Sequence, residues 1–510
     1  MSAPFPGVKG SDRPREACGV FGVFAPEEDV ASLTYFGLYA LQHRGQESAG
    51  IAVGDGDSLL VYSNLGLVNQ VFDEKVLGGL AGHLAIGHVR YSTTGSSGKL
   101  ENAQPAFMTR RDGGGIALGH NGNLVNTLEL AHELDADGIE IDATTDSHLV
   151  CALLAQQETS DLVEAWRLVA PKLQGAYSIT AMDEKRVMAI RDPYGVRPLV
   201  IGRLPSGGWV FASETCALDI IGAAFIRDVE PGELVVADEN GLRSHQLSEA
   251  PPRLCVFEFV YFARPDSTLM GRSVYSVRRA MGKQLADEAP ADADLVIAVP
   301  QCATAAAQGY ADRAGLPYAD GIIVNRYVGR TFIQPTQSLR EQGVRMKLNP
   351  MPEVIEGKRL VVVDDSIFRG TTTREVVDML RRAGAREVHL RVSSPPVKWP
   401  CFYGIDIPSR DELVGASRDV EQIRDLIGAD SLGYLSLDGM LTSTGAPTER
   451  FCHACFSGGY PIDIPPETAL TKNVLEVPRA AFNGNGAKRL PVSAAAAHAE
   501  STLPGLSEEG

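Results

Sequence analysis

Two regimes of hydrophobic patterning divide the chain. From Cys18 to about Val236, short apolar strands alternate with Gly-rich turns, at 18–25, 50–53, 84–91, 115–121, 176–182, 186–190, 199–202 and 209–213. Helical stretches fall near 30–42, 145–157 and 160–171. This pattern predicts stacked sheets with helices packed on their faces. A Pro-rich seam at Ala250-Pro251-Pro252 marks a junction. From about residue 273 strand and helix alternate: Leu295–Val299 then a helix, Ile322–Val324, Leu360–Val363 then a helix, and Val388–Val392. Such alternation predicts a doubly wound parallel sheet. Residues 1–17 are polar with several Pro and Gly, and the tail after about 475 is Ala-rich and polar with no core pattern. The expected division is a leader over 1–17, domains over 18–250 and 251–472, and a disordered tail over 473–510.

The second domain holds the most informative segment. Leu360 to Val363 is aliphatic and mostly β-branched, as a strand buried on both faces should be. It runs into Asp364-Asp365-Ser366-Ile367-Phe368-Arg369-Gly370-Thr371-Thr372-Thr373 and then a helical pattern through Val376, Val377, Met379 and Leu380. Strand, polar loop and helix present backbone N–H groups and a helix N-terminus to a phosphate. Asp364 and Asp365 can hold ribose hydroxyls and a hydrated Mg²⁺. A Walker loop is excluded, because no Gly-Lys-Ser/Thr is present. The segment closely resembles the phosphoribosyl diphosphate (PRPP) loop of type I phosphoribosyltransferases. Between Arg326 and Lys347 there are five cations, Arg326, Arg330 and Lys347 among them, against the single acid Glu341. Tyr327, Phe332 and Ile333 are interleaved with them. A loop that closes over a diphosphate and shuts out water suits this mixture.

Net charge narrows the partners. At −17 and pI near 5.1, the chain does not carry a nucleic-acid surface. No run of ~18 apolar residues predicts a membrane span, and the first 17 residues have no apolar centre of a secretory signal. The expected compartment is the cytoplasm. There, eight cysteines read as catalytic, metal-binding or buried rather than disulfide-bonded.

The first domain carries a scattered set of polar motifs. Cys18 stands at the start of an apolar strand just after the leader. With the leader removed, its own α-amino group, of pKa ~7.7–8, could activate the thiol. Gln42-His43-Arg44-Gly45-Gln46-Glu47-Ser48 is a polar patch between helix and strand, and Gly87-His88-Val89-Arg90 sets His88 and Arg90 on one strand face. His120-Asn121-Gly122-Asn123 supplies an Asn side chain and a Gly N–H at a turn, a pair able to stabilise an oxyanion. Thr145-Asp146-Ser147 opens a helix.

In this order the motifs resemble the N-terminal-nucleophile glutamine amidotransferases over roughly 18–235. The two halves together resemble the amidophosphoribosyltransferase family over about 18–465. The resemblance implies a four-layer αββα glutaminase domain joined to a type I phosphoribosyltransferase domain. It implies that Cys18 attacks the glutamine amide, that Asn121 and Gly122 form the oxyanion hole, and that Arg90, Asp146 and His88 bind glutamine. Ammonia would then pass inside the protein and displace diphosphate from PRPP, the first step of purine synthesis. Asp364, Asp365, Ser366, Arg369, Gly370, Thr371, Thr372, Arg326, Tyr327, Arg330 and Lys347 would bind PRPP, with Mg²⁺ at Asp364 and Asp365. One position departs from the family: Cys302 stands where an oxygen donor beside the metal is usual, and hard cations prefer oxygen.

Cys452 and Cys455 form a C-x-x-C, with Cys255 and Cys401 far away in sequence. Four thiolates from dispersed positions could bind a [4Fe–4S] cluster or a zinc ion, and spacing alone favours zinc or a chance pair. These four positions match the branch of the family that bears a [4Fe–4S] cluster and an N-terminal propeptide. A homotetramer and inhibition by purine nucleotides are further implications of the resemblance. Two other readings fit the motifs less well. A sugar-phosphate synthase sharing the glutaminase half has no need of the 361–373 loop, and a nucleotide sensor has no use for Cys18, Arg90, Asn121 and Asp146.

Overall fold

The computed structural model describes residues 18–91, 99–139, 141, 143–325, 348–407, 409–465 and 475. The leader, most of the tail and the basic segment with Arg326, Tyr327, Arg330 and Lys347 lie outside the described residues.

The first domain is built on two antiparallel sheets. The seven-stranded sheet contains β1 (Gly19–Phe24), β2 (Ser48–Gly54), β3 (Leu59–Leu65), β4 (Leu84–Arg90), β9 (Val200–Arg203), β10 (Trp209–Ala212) and β11 (Ala224–Asp228), in the order β11-β9-β10-β1-β4-β2-β3. The six-stranded sheet contains β5 (Ala106–Thr109), β6 (Gly115–Leu124), β7 (Gly175–Met182), β8 (Val187–Arg191), β12 (Glu233–Asp238) and β13 (Gly241–Gln246), in the order β13-β12-β8-β7-β6-β5. Val20, Ile86, Ala117, Met182 and Val235 fill the layer between them. The helix Val30–Ala40 covers the outer face of the first sheet. Helices Thr127–Ala136, Asp146–Ala155 and Leu162–Val169 cover the second. This is the four-layer αββα arrangement, each layer burying one apolar face.

The second domain holds a four-stranded parallel sheet, ordered Leu295–Ala298, Arg359–Asp364, Glu387–Val392, Ser431–Tyr434. Along the central strand, Leu360 and Val362 face one core with helices Thr371–Arg382 and Val420–Ile427. Val361 and Val363 face the other, with helices Val274–Glu288 and Thr304–Ala314. A strand with helices on both faces must be apolar on both, and this one is.

Two features differ from expectation. Ile322–Val324 does not join the parallel sheet; it pairs antiparallel with Leu348–Pro350 in a separate two-stranded ribbon. The fourth parallel strand, Ser431–Tyr434, is half-buried at the sheet edge and too mixed in pattern to stand out. The Pro-rich seam is not a break in packing. One core runs across it, joining Val125, Ala176 and Val196 of the first domain to Leu254, Phe257, Phe368 and Phe451 of the second.

Candidate active sites and the cysteine cavity

The antiparallel register of β1 on β4, with Gly19 opposite Val89, brings the residue before β1 beside the residue after β4. The Cys18 thiol donates to the Tyr91 carbonyl at 3.2 Å, and the Tyr91 N–H donates to Cys18 Sγ at 3.3 Å. A polar cavity of about 220 Å³ opens there, lined by Cys18, Arg90, Gln104, Gly122, Asp146 and Ser147 among others. Burial pushes the Cys18 thiol up to about 11, against the pull of the Arg90 charge. Burial would also raise Asp146, but the neighbouring His120 and the N–H groups of Leu124 and Ser147, at 3.0 and 2.9 Å, outweigh it and hold the carboxyl below its usual range. The cavity therefore gathers a thiol, a guanidinium and a carboxylate in one lining.

Gly122 is required by its surroundings. Its φ is +154°, and a Cβ would lie 2.0 Å from the Ala176 carbonyl oxygen. Asn121 sits beside the cavity wall rather than in it, with Nδ2 3.5 Å from Ser213 Oγ. Its Oδ1 is buried and without a hydrogen-bond partner among the described residues. His88 also lies off the cavity; its Nε2 is 3.0 Å from the His120 carbonyl, and burial pushes its pKa down to about 3. Two wall residues escaped sequence reasoning. Gln104 accepts the His120 N–H at 2.9 Å, and no local pattern marks it. His120 lies 3.5 Å from Asp146 Oδ2 and stands next to Asn121 in the motif already singled out.

The second site forms at the carboxyl end of the parallel sheet. Asp364 Oδ1 accepts the Asp365 N–H at 2.9 Å, and Ser366 donates its hydroxyl to Asp365 Oδ2 at 2.6 Å. Gly370, at φ +79°, turns the chain into the helix that Thr371 and Thr372 begin. Arg369 pairs with Glu412 at 3.1 Å. The Val299 N–H donates to the Val363 carbonyl at 2.8 Å, so the Pro300-Gln301-Cys302 loop leaves the sheet beside the two aspartates. Below them Arg278 is buried, donating to the carbonyls of Phe259 and Ala263 at 2.7 and 2.8 Å. Burial lowers its pKa, opposed by the charges of Cys302 and Asp365.

A third feature joins the halves. Cys255, Cys401, Cys452 and Cys455 line one cavity. Parallel pairing of Cys255 with Cys452 fixes two of them. Among the described residues, no three His, Cys, Asp or Glu are gathered closely enough to hold a single metal ion. The loop bearing Cys401 packs on the first cavity: Asn123 Nδ2 donates to the Phe402 carbonyl at 3.0 Å, and Gly404 lies directly against Gly122.

A buried ionic chain runs alongside. Arg44 Nε donates to the Cys18 carbonyl at 3.1 Å. Its Nη1 pairs with Glu214, and its Nη2 with Glu258 Oε1 at 2.7 Å. Glu258 in turn faces Arg197 Nη2 at 2.8 Å. Burial would raise Glu214, but His43 and Arg44 hold it well below the carboxylate range. Glu258 belongs to a π-helical turn, Glu258–Phe262, at the seam.

The glutamine amidotransferase domain family matches residues 88–219, and the phosphoribosyl transferase domain family matches residues 271–394. Curated amidophosphoribosyltransferases align over most of the chain. That of Mycobacterium bovis is 57% identical across 91% of this chain and 90% of its own length. That of Bacillus subtilis is 46% identical across 89% and 96%. A solved structure described as glutamine PRPP amidotransferase from B. subtilis complexed with ADP and GMP superposes with a TM-score of 0.83 at 46% identity, over 88% of this chain and 98% of that one. With both sites in place and likeness of this extent across both domains, the chain belongs to the amidophosphoribosyltransferase family.

Proposed function

We propose that this enzyme hydrolyses glutamine at Cys18 and passes the ammonia to PRPP, giving 5-phosphoribosylamine, glutamate and diphosphate in purine biosynthesis. The observation that carries this reading is the apolar core continuous from Val125 and Ala176, behind the Cys18 cavity, to Phe257, Tyr261 and Phe368, beside the loop that follows Asp364 and Asp365. A dry interior between two polar sites suits transfer of a neutral, easily protonated nitrogen.

At the first site, Cys18 adds to the amide carbon. Its thiol proton goes to its own α-amino group once residues 1–17 are removed, which lowers the cost of forming a thiolate in a buried place. The Gly122 N–H takes the developing oxyanion, and the Asn121 amide, which stands beside the cavity wall, turns in to join it when glutamine binds. Arg90 holds the α-carboxylate and Asp146 the α-ammonium. Collapse of the adduct breaks the C–N bond, the α-ammonium of Cys18 returns its proton to the departing ammonia, and water then hydrolyses the thioester to release glutamate. At the second site ammonia attacks C1 of PRPP and the C1–diphosphate bond breaks. Ser366, Gly370, Thr371 and Thr372 cradle the phosphates at the helix start, with Arg326, Tyr327, Arg330 and Lys347 covering the diphosphate. Asp364 and Asp365 fit a Mg²⁺ site, being adjacent oxygen donors at a strand end; the ion would neutralise charge on the departing diphosphate. Cys302 is not assigned as its ligand.

The four cysteines fit a [4Fe–4S] cluster of structural role. All four thiols line one cavity, and four cysteine thiolates are the ligand set such a cluster takes. The tetramer and the purine-nucleotide inhibition belong to the same proposal, the latter supported by the ADP and GMP named with the B. subtilis structure. No described helix is long and apolar enough to cross a membrane, and a cytoplasmic location is proposed with the rest.

Anaerobic protein given glutamine and PRPP should release glutamate and diphosphate together. Glutamate without diphosphate would indicate a different acceptor, and neither product would indicate a sensor. Intact mass should give a chain beginning at Cys18, and the protein should be brown with absorption near 400 nm.

A further inference from the structure

Among the described residues lining the cysteine cavity, Arg197 is the one basic side chain. It is wholly buried. Its Nη2 lies 2.8 Å from Glu258 Oε1, yet none of its three nitrogens makes a hydrogen bond to the described residues. The distance is that of an ion pair; the direction is not that of a hydrogen bond. Glu258 is committed elsewhere, since Arg44 donates to both of its oxygens at 3.1 and 2.7 Å. The Phe262 ring, 5.8 Å from the guanidinium carbon, backs the group on another side. A buried guanidinium with five donors and no acceptor is costly unless something else occupies the space it faces. What it faces is a recess lined by four sulfur atoms.

We propose that Arg197 is the charge and hydrogen-bond partner of an anionic iron–sulfur occupant of this cavity, held toward it by Glu258 and Phe262. The inference rests on the cluster reading given above. Four thiolates around a doubly positive core make a dianion, and N–H groups directed at its sulfurs stabilise it and set its potential. Arg197 is a positioning residue, not a catalytic one. Because Glu258 also anchors Arg44, and Arg44 holds the Cys18 carbonyl, the same charge chain reaches the glutaminase nucleophile.

The test uses full-length protein purified without oxygen, as wild type, Arg197→Met and Arg197→Lys. Iron and sulfide per chain, the lifetime of the 400 nm absorption in air, and the midpoint potential by reductive titration are measured. Loss of the cation should favour the less negative, oxidised cluster about tenfold, a fall in potential of about 59 mV for one electron. Bleaching in air should quicken several-fold. Arg197→Lys keeps the charge but not the planar fork of donors, and should shift both readings by less, in the same direction. If Arg197→Met does not fold, Arg197→Lys carries the test. Wild-type potential and lifetime in the folded variants would overturn the proposal. A wild-type protein that holds zinc and no iron would instead overturn the cluster reading, before any variant is made.

Discussion

Replacing Gly122 by alanine should separate the two half-reactions. The added Cβ would stand 2.0 Å from the Ala176 carbonyl oxygen, and 2.8 Å from both Ala176 C and His120 Nε2. Asn123 pairs with Ala176 across β6 and β7, so the obstacle is backbone, not a side chain that can swing away. The strands must part locally by roughly 1 Å, a displacement that can cost on the order of 100-fold when it misplaces a catalytic group. Losing one oxyanion donor alone costs about 100- to 1,000-fold in kcat. Overpacking a tight interior adds about 1–3 kcal/mol of instability. The second site lies in another domain and should be spared. We therefore expect glutamine-dependent diphosphate release to fall about 100-fold or more, while release driven by ammonium chloride stays within about twofold of wild type. Equal losses with both nitrogen donors would refute the reasoning, as would full glutamine activity.

Other outcomes follow from the same geometry. Cys18→Ala should abolish glutamine use and leave ammonia-dependent synthesis, as parallel assays with the two donors would reveal. Asn123→Ala removes the hydrogen bond to Phe402, should cost about 1 kcal/mol, and should lower the thermal midpoint and the glutamine rate more than the ammonia rate. Glu214→Gln leaves Arg44 half-paired in a fully buried place and should destabilise the fold by about 3–5 kcal/mol in urea titrations. Because His43 and Arg44 overcome burial and depress Glu214 below its ordinary value of 4.5, its stabilisation is whole above that pH and is lost as pH falls below it. The variant's urea midpoint should accordingly depend less on pH below about 4.5 than the wild type's.

The sites were legible where chemistry is written in contiguous residues. The strand Arg359–Asp364 and its loop could be read because burial on both faces forces an unbroken aliphatic run, after which Asp, Ser, Gly and Thr stand out. Edge strands could not. Leu59–Leu65 and Gly241–Gln246 are largely exposed or half-buried, so neither alternation nor a long apolar run survives in them. Ile322–Val324 reads as a member of the parallel sheet because three β-branched residues do not specify a partner; Leu348–Pro350 follows only about two dozen positions later in sequence. Helix Thr127–Ala136 has a readable spacing in Leu130, Ala131 and Leu134, but it follows closely on Asn121-Gly122, a pair that reads as a turn and in fact lies within β6. Arg44, Arg197, Glu214 and Glu258 are each ordinary charges in sequence. Contacts spanning up to 214 positions give them their meaning, and no local pattern encodes those.

The core that crosses the Pro-rich seam bears on modularity. Because Val125, Ala176 and Val196 lie in the same oily interior as Leu254 and Phe451, neither half is a cassette. A truncated version ending at residue 250 would leave aliphatic and aromatic faces wet and would be expected to clump or require a chaperone. Recombining this amidohydrolase with a foreign acceptor enzyme calls for redesigning that shared surface, not merely joining two reading frames.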